Sequence, residues 1–242
     1  MSGISLCSLL FSLTTNADDI YKGVKGPTNW QLDSRISYSK NQRKVRTTTL
    51  NSILKYWDGD KFGLFGFLNL PYKNVDALDN SMGFGDISLG IGPRGRLDDF
   101  HLISYTSFIL PTGDEESKPT LSNGRLDTKL GLLGTYFTND RKYEVDSTIE
   151  YNFTGENSSG VNPPNETYIG MLGCREITKR LRFATGFTGL IKNNGDYSTN
   201  WRSVSRYTIS PRLHFEFTID KGIRNKNIPK STGIGAYMRS NL

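Results

Sequence analysis

The stretch KYEVDSTIEYNF, residues 142–153, decides how the chain is read. Tyr143, Val145, Ile149, Tyr151 and Phe153 take the odd positions, with Ser147 the one polar member, while Glu144, Asp146, Thr148, Glu150 and Asn152 take the even ones. A period of two sustained this long is a β-strand with one oily face and one charged face. In a soluble protein the oily face makes the core; in a membrane barrel it meets lipid. Strand length, connection pattern and the number of strands decide between them.

The same alternation fills the chain, and no 3.6-residue stripe competes with it outside the first residues. It predicts strands at 29–40, 44–57, 61–73, 82–96, 100–111, 124–138, 142–154, 166–177, 181–192, 198–210, 212–220 and 232–242. Strands of soluble sheets run to about 5–6 residues; tilted strands that cross a bilayer need about 9–11. Most of these segments reach the second length. Tight turns at 58–60, 97–99, 139–141, 178–180 and 210–212 alternate with longer polar connections at 74–81, 113–123, 155–164, 193–198 and 220–231. That alternation is the loop asymmetry of an outer-membrane barrel, with short periplasmic turns and longer external loops. The short first connection, residues 41–44, is an exception.

Each strand can be assigned by parity. Leu126, Leu130, Leu132 and Tyr136 oppose Arg125, Asp127 and Lys129; Leu213, Phe215, Phe217 and Ile219 oppose His214, Glu216, Thr218 and Asp220; Trp201, Tyr207 and Ile209 oppose Arg202 and Arg206. Turned inward, the oily faces of twelve strands would leave a cylinder they cannot fill, since eight strands already fill an interior. Turned outward, they form a lipid-facing band, with Tyr38, Trp57, Tyr72, Tyr136, Tyr143, Phe153, Trp201 and Tyr207 near its edges. The expectation is an all-β, transmembrane, antiparallel up-and-down barrel of about twelve strands, with a hydrated lumen lined by Arg125, Asp127, Lys129, Glu144, Asp146, Glu150, Arg202, Arg206, His214, Glu216 and Asp220. Turn positions set Lys129 opposite Asn152 and diagonal to Glu150, Arg206 opposite Glu216, and Arg202 opposite Asp220. Ladders of ion pairs follow, each contributing about 0.2–1 kcal/mol.

Composition narrows the classes further. The formal charge of +6 arises from 30 basic and 24 acidic residues spread along the chain, without a basic block, which argues against nucleic-acid binding. No apolar run approaches the ~18 residues of a membrane helix. Residues 1–17, with an uncharged apolar run from Ile4 to Leu13 and Ala17 before two acids, read as a secretory leader ahead of a barrel over 18–242. Cys174 is then the only cysteine of the exported part. Two scattered histidines and one cysteine give no metal spacing, and no cofactor is expected. GIGPRG, residues 90–95, matches a phosphate-loop pattern, but a turn and another strand follow it rather than a helix.

Two stretches carry a resemblance. GFGDISLGIGPRG (83–95) resembles the Gly-x-Gly-Asp strand opening of the MetA-pathway phenol-degradation family of outer-membrane proteins. FILPTGDEES (108–117) is similar to that family's Leu-Pro-Thr-Gly-Asp strand end, and NGRLDTKLGLLGTYF (123–137) to the strand after it. The resemblance implies that Gly83, Gly85 and Asp86 mark a strand start, and that Pro111, Thr112, Gly113 and Asp114 mark an exit into an external loop. It implies a barrel in the bacterial outer membrane that passes small solutes, hydrophobic and aromatic ones among them. Leu242 departs from the usual pattern, in which the last residue is aromatic.

The rival functions are an outer-membrane lipid hydrolase and a closed structural barrel. A hydrolase would need His101 or His214 beside a hydroxyl or carboxylate. Yet His214 shares its face with Glu216, which is aimed at Arg206, and His101 shares its face with Ile103 and Tyr105. The reading is therefore a channel rather than an enzyme, with outer-membrane lipid and a small-molecule solute as partners.

Overall fold

The computed structural model describes residues 30–58, 62–157, 160–210 and 212–242; the expected leader lies outside them. The strands are β1 (Trp30–Asn41), β2 (Arg46–Trp57), β3 (Phe62–Asp76), β4 (Asn80–Phe84), β5 (Ile87–Leu97), β6 (Phe100–Leu110), β7 (Asp127–Phe137), β8 (Tyr143–Phe153), β9 (Glu166–Thr178), β10 (Leu181–Lys192), β11 (Tyr197–Ser210), β12 (Leu213–Lys226) and β13 (Ser231–Asn241). Every pairing among them is antiparallel, each strand beside its chain neighbour, and β13 returns to β1 while β2 pairs with β3 to close the cylinder. β3 holds β5 along Phe62–Asn69 and β4 along Tyr72–Asp76, so β4 and β5 are two pieces of one wall strand. The result is a closed twelve-strand barrel with one extra strand.

The single strand expected over 82–96 is broken. Gly85 donates its N–H to Pro71 (2.9 Å), and Ile87 N–H is taken by the Thr112 hydroxyl (2.9 Å). Gly83 lies inside β4, with Gly85 and Asp86 in the break, so the motif marks an interruption rather than a strand start. Three connections expected to be long are also corrected. β3 runs to Asp76, β11 begins at Tyr197 and β12 runs to Lys226, which reduces the links to 77–79, 193–196 and 227–230. Polar residues such as Lys221, Arg224 and Asn225 remain in the ladder with β11. Polarity marks a loop in a soluble sheet, whereas in a barrel it marks where a strand leaves hydrocarbon. Two long connections remain, 111–126 and 154–165, at the same end of the barrel.

The faces point as strand length implied. On β8, Glu144, Asp146, Thr148, Glu150 and Asn152 are buried, while Val145 is 42% and Ile149 49% exposed. Leu130 and Phe215 face outward too. Burying one large apolar side chain stabilises by about 1.5–3 kcal/mol, so an outer belt drawn from every wall strand is stable only against hydrocarbon. Tyr38, Tyr136, Tyr143, Phe153 and Tyr207 are exposed in that belt. Trp57, Tyr72 and Trp201 are half-buried. In the β7–β8 turn the Thr138 hydroxyl and the Lys142 N–H both donate to Asp140, holding its carboxyl below the usual carboxylate range.

Candidate functional site

Alternation along the strands delivers a dense polar lattice to the inner wall. Arg206 Nε meets Glu216 at 2.6 Å, and Arg202 holds both oxygens of Asp220 at 2.5 and 2.8 Å, in the register that the 210–212 turn implies. Lys129 lies opposite Asn152, with its ammonium 3.8 Å from Glu150. Tyr105 donates to Glu150 from two strands away, and Arg182 reaches Glu144 across β9. Asp146 accepts from Thr135 (2.6 Å). Asp127 accepts from Arg125 (2.8 Å), Asn152 (3.3 Å) and Gly155 N–H (3.0 Å), tying the start of β7 to the foot of the 154–165 connection. His214 is buried with its ring 3.2 Å from the Thr208 hydroxyl. His101, the second residue of β6, is 1% exposed and packs on Phe137.

The centre of the lattice extends beyond any one hairpin. Asp33 on β1 accepts from Lys55 on β2 and from Tyr237 (2.7 Å) and Arg239 (3.2 Å) on β13. Arg239 also approaches Glu216 at 4.0 Å, which joins this cluster to Arg206. All of these side chains are almost completely shielded from bulk solvent.

The inner wall also carries apolar residues beside its polar ones. Phe65, Phe67, Ile103, Tyr105 and Leu133 form an apolar strip over β3, β6 and β7. Leu172, Cys174, Ala184 and Val204 form another. Period-two reading missed the first strip because β3 and β6 carry apolar residues on both faces. The signal available was the glycines. A Cβ at Gly90 would lie 2.4 Å from the Phe67 ring, and one at Gly131 2.3 Å from the Tyr105 ring, so each ring lies across a neighbouring bare backbone.

The resemblance-bearing motifs meet at the long-loop end. Asp86, 5% exposed, accepts from Gly113 N–H (3.2 Å), the Ser122 hydroxyl and Asn123 N–H (2.8 Å). Thr112 spans the same break, accepting from Ile87 and donating to Gly85 O (3.3 Å). Pro111 follows β6 directly, and Asp114 turns the loop by accepting from Glu116 and Ser117 N–H groups through its side chain and from Leu121 and Ser122 through its carbonyl. Lys73 on β3 donates to Leu121 O (3.2 Å), and Leu121 is buried against Gly83. The 111–126 connection is therefore folded down on the barrel mouth and latched by one carboxylate. Asp86→Ala leaves three donors without an acceptor, which favours loop opening by at least about 1–3 kcal/mol. The expected readout is cleavage within 111–126 by dilute proteinase K at least about tenfold faster than in the parent barrel; an unchanged rate removes the latch.

Among the described residues, no group of three or more His, Cys, Asp or Glu is placed to hold a metal ion. A family profile described as the MetA-pathway of phenol degradation matches residues 47–238. The chain belongs to that family. This barrel is similar to the COG4313 outer membrane channel from Pseudomonas putida F1, with 15% identity over 87% of this chain and 93% of that one and a TM-score of 0.74. It is also similar to the NanC porin, with 13% identity, 87% and 100% coverage and a TM-score of 0.58. A third likeness is to the CymD monoaromatic hydrocarbon channel, with 8% identity, 90% coverage of both chains and a TM-score of 0.54. No curated protein sequence matches the chain. Matching profile, closed cylinder and outward hydrocarbon belt together make this chain an outer-membrane β-barrel.

Proposed function

We propose that this barrel is a non-enzymatic channel for small solutes, hydrophobic or aromatic ones among them. The observation that carries the reading is a closed cylinder whose inner wall sets an apolar aromatic strip beside a charged lattice. Inward side chains that shield one another from solvent would restrict any passage to small molecules. Phe67 and Tyr105 meet edge to face at 5.7 Å, the geometry in which a further aromatic ring would pack against them. The charges beside them line the rest of the path, and Arg125, Asp127, Lys129, Glu144, Asp146, Glu150, Arg202, Arg206, His214, Glu216 and Asp220 are its polar lining in this proposal. A solute crossing between these walls needs no covalent chemistry from the protein.

The experiment is planar-bilayer recording of the refolded barrel, joined to uptake of a small aromatic solute into vesicles that contain it. Discrete conductance steps and barrel-dependent uptake are expected. A silent bilayer with no uptake overturns the channel and leaves the closed structural barrel, which the solvent-shielded Asp33–Lys55–Arg239 cluster would then explain.

A further inference from the structure

The outer face carries one sector unlike the rest. Across four neighbouring strands the register places Lys221 of β12 beside Thr232 of β13, Thr232 beside Lys40 of β1, and Lys40 beside Arg46 of β2. All four are exposed, on the same face as the outward Ile219, Ile234 and Tyr38. The row continues to Asp76 of β3, its one acid, which pairs with Arg46 at 3.5 Å. Farther along β12, Arg224 stands exposed opposite Thr199. Lys40, Lys221 and Arg224 make no ion pair among the described residues. Toward the same end, β6 to β10 and the residues flanking them turn Phe108, Leu126, Phe153, Ile169 and Ile191 outward instead.

Lys40 and Arg46 lie directly opposite one another, an arrangement that is destabilising for like charges. Strands about 4.8 Å apart make Lys221, Thr232, Lys40 and Arg46 a line of donors about 14 Å long. The next outward rung toward the barrel's middle, about 7 Å away, is Ile219, Ile234 and Tyr38, which belong to the hydrocarbon belt. The donors therefore run along the edge of that belt and outside the lumen. The 42–45 turn emerges at the end that bears the long 111–126 and 154–165 connections, the external end of such a barrel. A partner here has to be anionic where it meets the row and oily immediately below it. A soluble anion has only the first property. A phosphorylated glycolipid of the outer leaflet has both.

We propose that the outer face of β12, β13, β1 and β2 binds the phosphate groups of an outer-leaflet glycolipid. Lys221, Thr232 and Lys40 donate to the phosphate oxygens, Arg46 and Arg224 flank them, and the acyl chains lie on Ile219, Ile234 and Tyr38. Hydrogen bonds from charged donors to phosphate are strong ones, and each base beside an anionic lipid surface adds to the attraction. The surface stands on the outer-membrane assignment and needs no passage through the lumen.

The test mixes the refolded barrel in detergent with diphosphorylated lipid A, with the same glycolipid stripped of its phosphates, and with inorganic phosphate, and reads dissociation constants by microscale thermophoresis. Heat-modifiable migration on a gel reports whether each variant is folded. The parent is expected to bind the diphosphorylated lipid at least about tenfold more tightly than the stripped one. Lys40→Gln combined with Lys221→Gln should remove most of that preference, and Lys40→Arg combined with Lys221→Arg should keep it. Arg175→Gln should keep it too, because Arg175 is an outward base at the other end of the barrel, over the Tyr143 ring. Equal binding of the two glycolipids by the parent overturns the surface, as does a preference that survives the double glutamine change or that Arg175→Gln removes equally. Displacement of the lipid by an equal concentration of inorganic phosphate overturns it as well, since the belt below the row would then contribute nothing. Should the double variant fail to fold, Lys221→Gln alone takes its place, and an unchanged preference overturns the surface. Bilayer recording separates the two proposals. A silent barrel that keeps the preference loses the channel alone, and a conducting barrel without it loses the lipid surface alone.

Discussion

Replacing Asp33 with alanine is expected to destabilise the barrel by about 3–5 kcal/mol, the cost of leaving buried charges without their partner. Asp33 is fully shielded and accepts from Lys55, Tyr237 and Arg239, so one truncation strands two cations and a hydroxyl inside the wall. It also unties the place where β13 closes on β1, so the loss falls on the cylinder as a whole rather than on one hairpin. Guanidinium titration of the barrel in phospholipid vesicles measures the effect. The triple change Asp33→Leu, Lys55→Met and Arg239→Met should recover most of the loss, because well-packed apolar groups of similar volume often match or exceed a buried ion cluster. A single Asp33→Ala that unfolds with the parent would mean the cluster is wetter than its burial indicates.

The second large effect lies on the other face of the wall. Ile149→Arg, near the middle of β8 and outward, should cost about 2–4 kcal/mol in the same titration, and Tyr143→Arg at the start of that strand at most about 1 kcal/mol. The contrast is the informative part. Both side chains are nearly half exposed in the isolated barrel, 49% and 47%, so a water-bathed surface would tolerate both arginines equally. Hydrocarbon rejects a charge most strongly at its mid-depth, and the strand carries Ile149 there while Tyr143 sits at the edge. Equal, small costs at the two positions would remove the membrane from around the barrel.

Particular residues show how far a linear reading reaches. Glu150 was legible as inward from its alternation with Ile149, and Arg206 as the partner of Glu216 from the position of a turn. Tyr105, which donates to that same Glu150, was not, because one whole strand, β7 with its bare Gly131, lies between theirs. Asp86 was legible as part of a motif, but its role as a loop latch was not. Its three donors lie in a connection whose path depends on how far the barrel mouth opens.

By itself, the order of residues determined which segments are strands, which face of each is oily, and how chain-adjacent strands align across a tight turn. Those properties repeat over two residues or are set by a short turn, so they need no knowledge of the rest of the molecule. The tertiary structure alone decided the seam between β1 and β13, the break at Gly85 and Asp86, and the assembly of the Asp33 cluster across that seam. Asp33 and Arg239 are 206 positions apart and no turn connects their strands. Their meeting depends on the stagger of the closed cylinder, a quantity that belongs to all the strands at once.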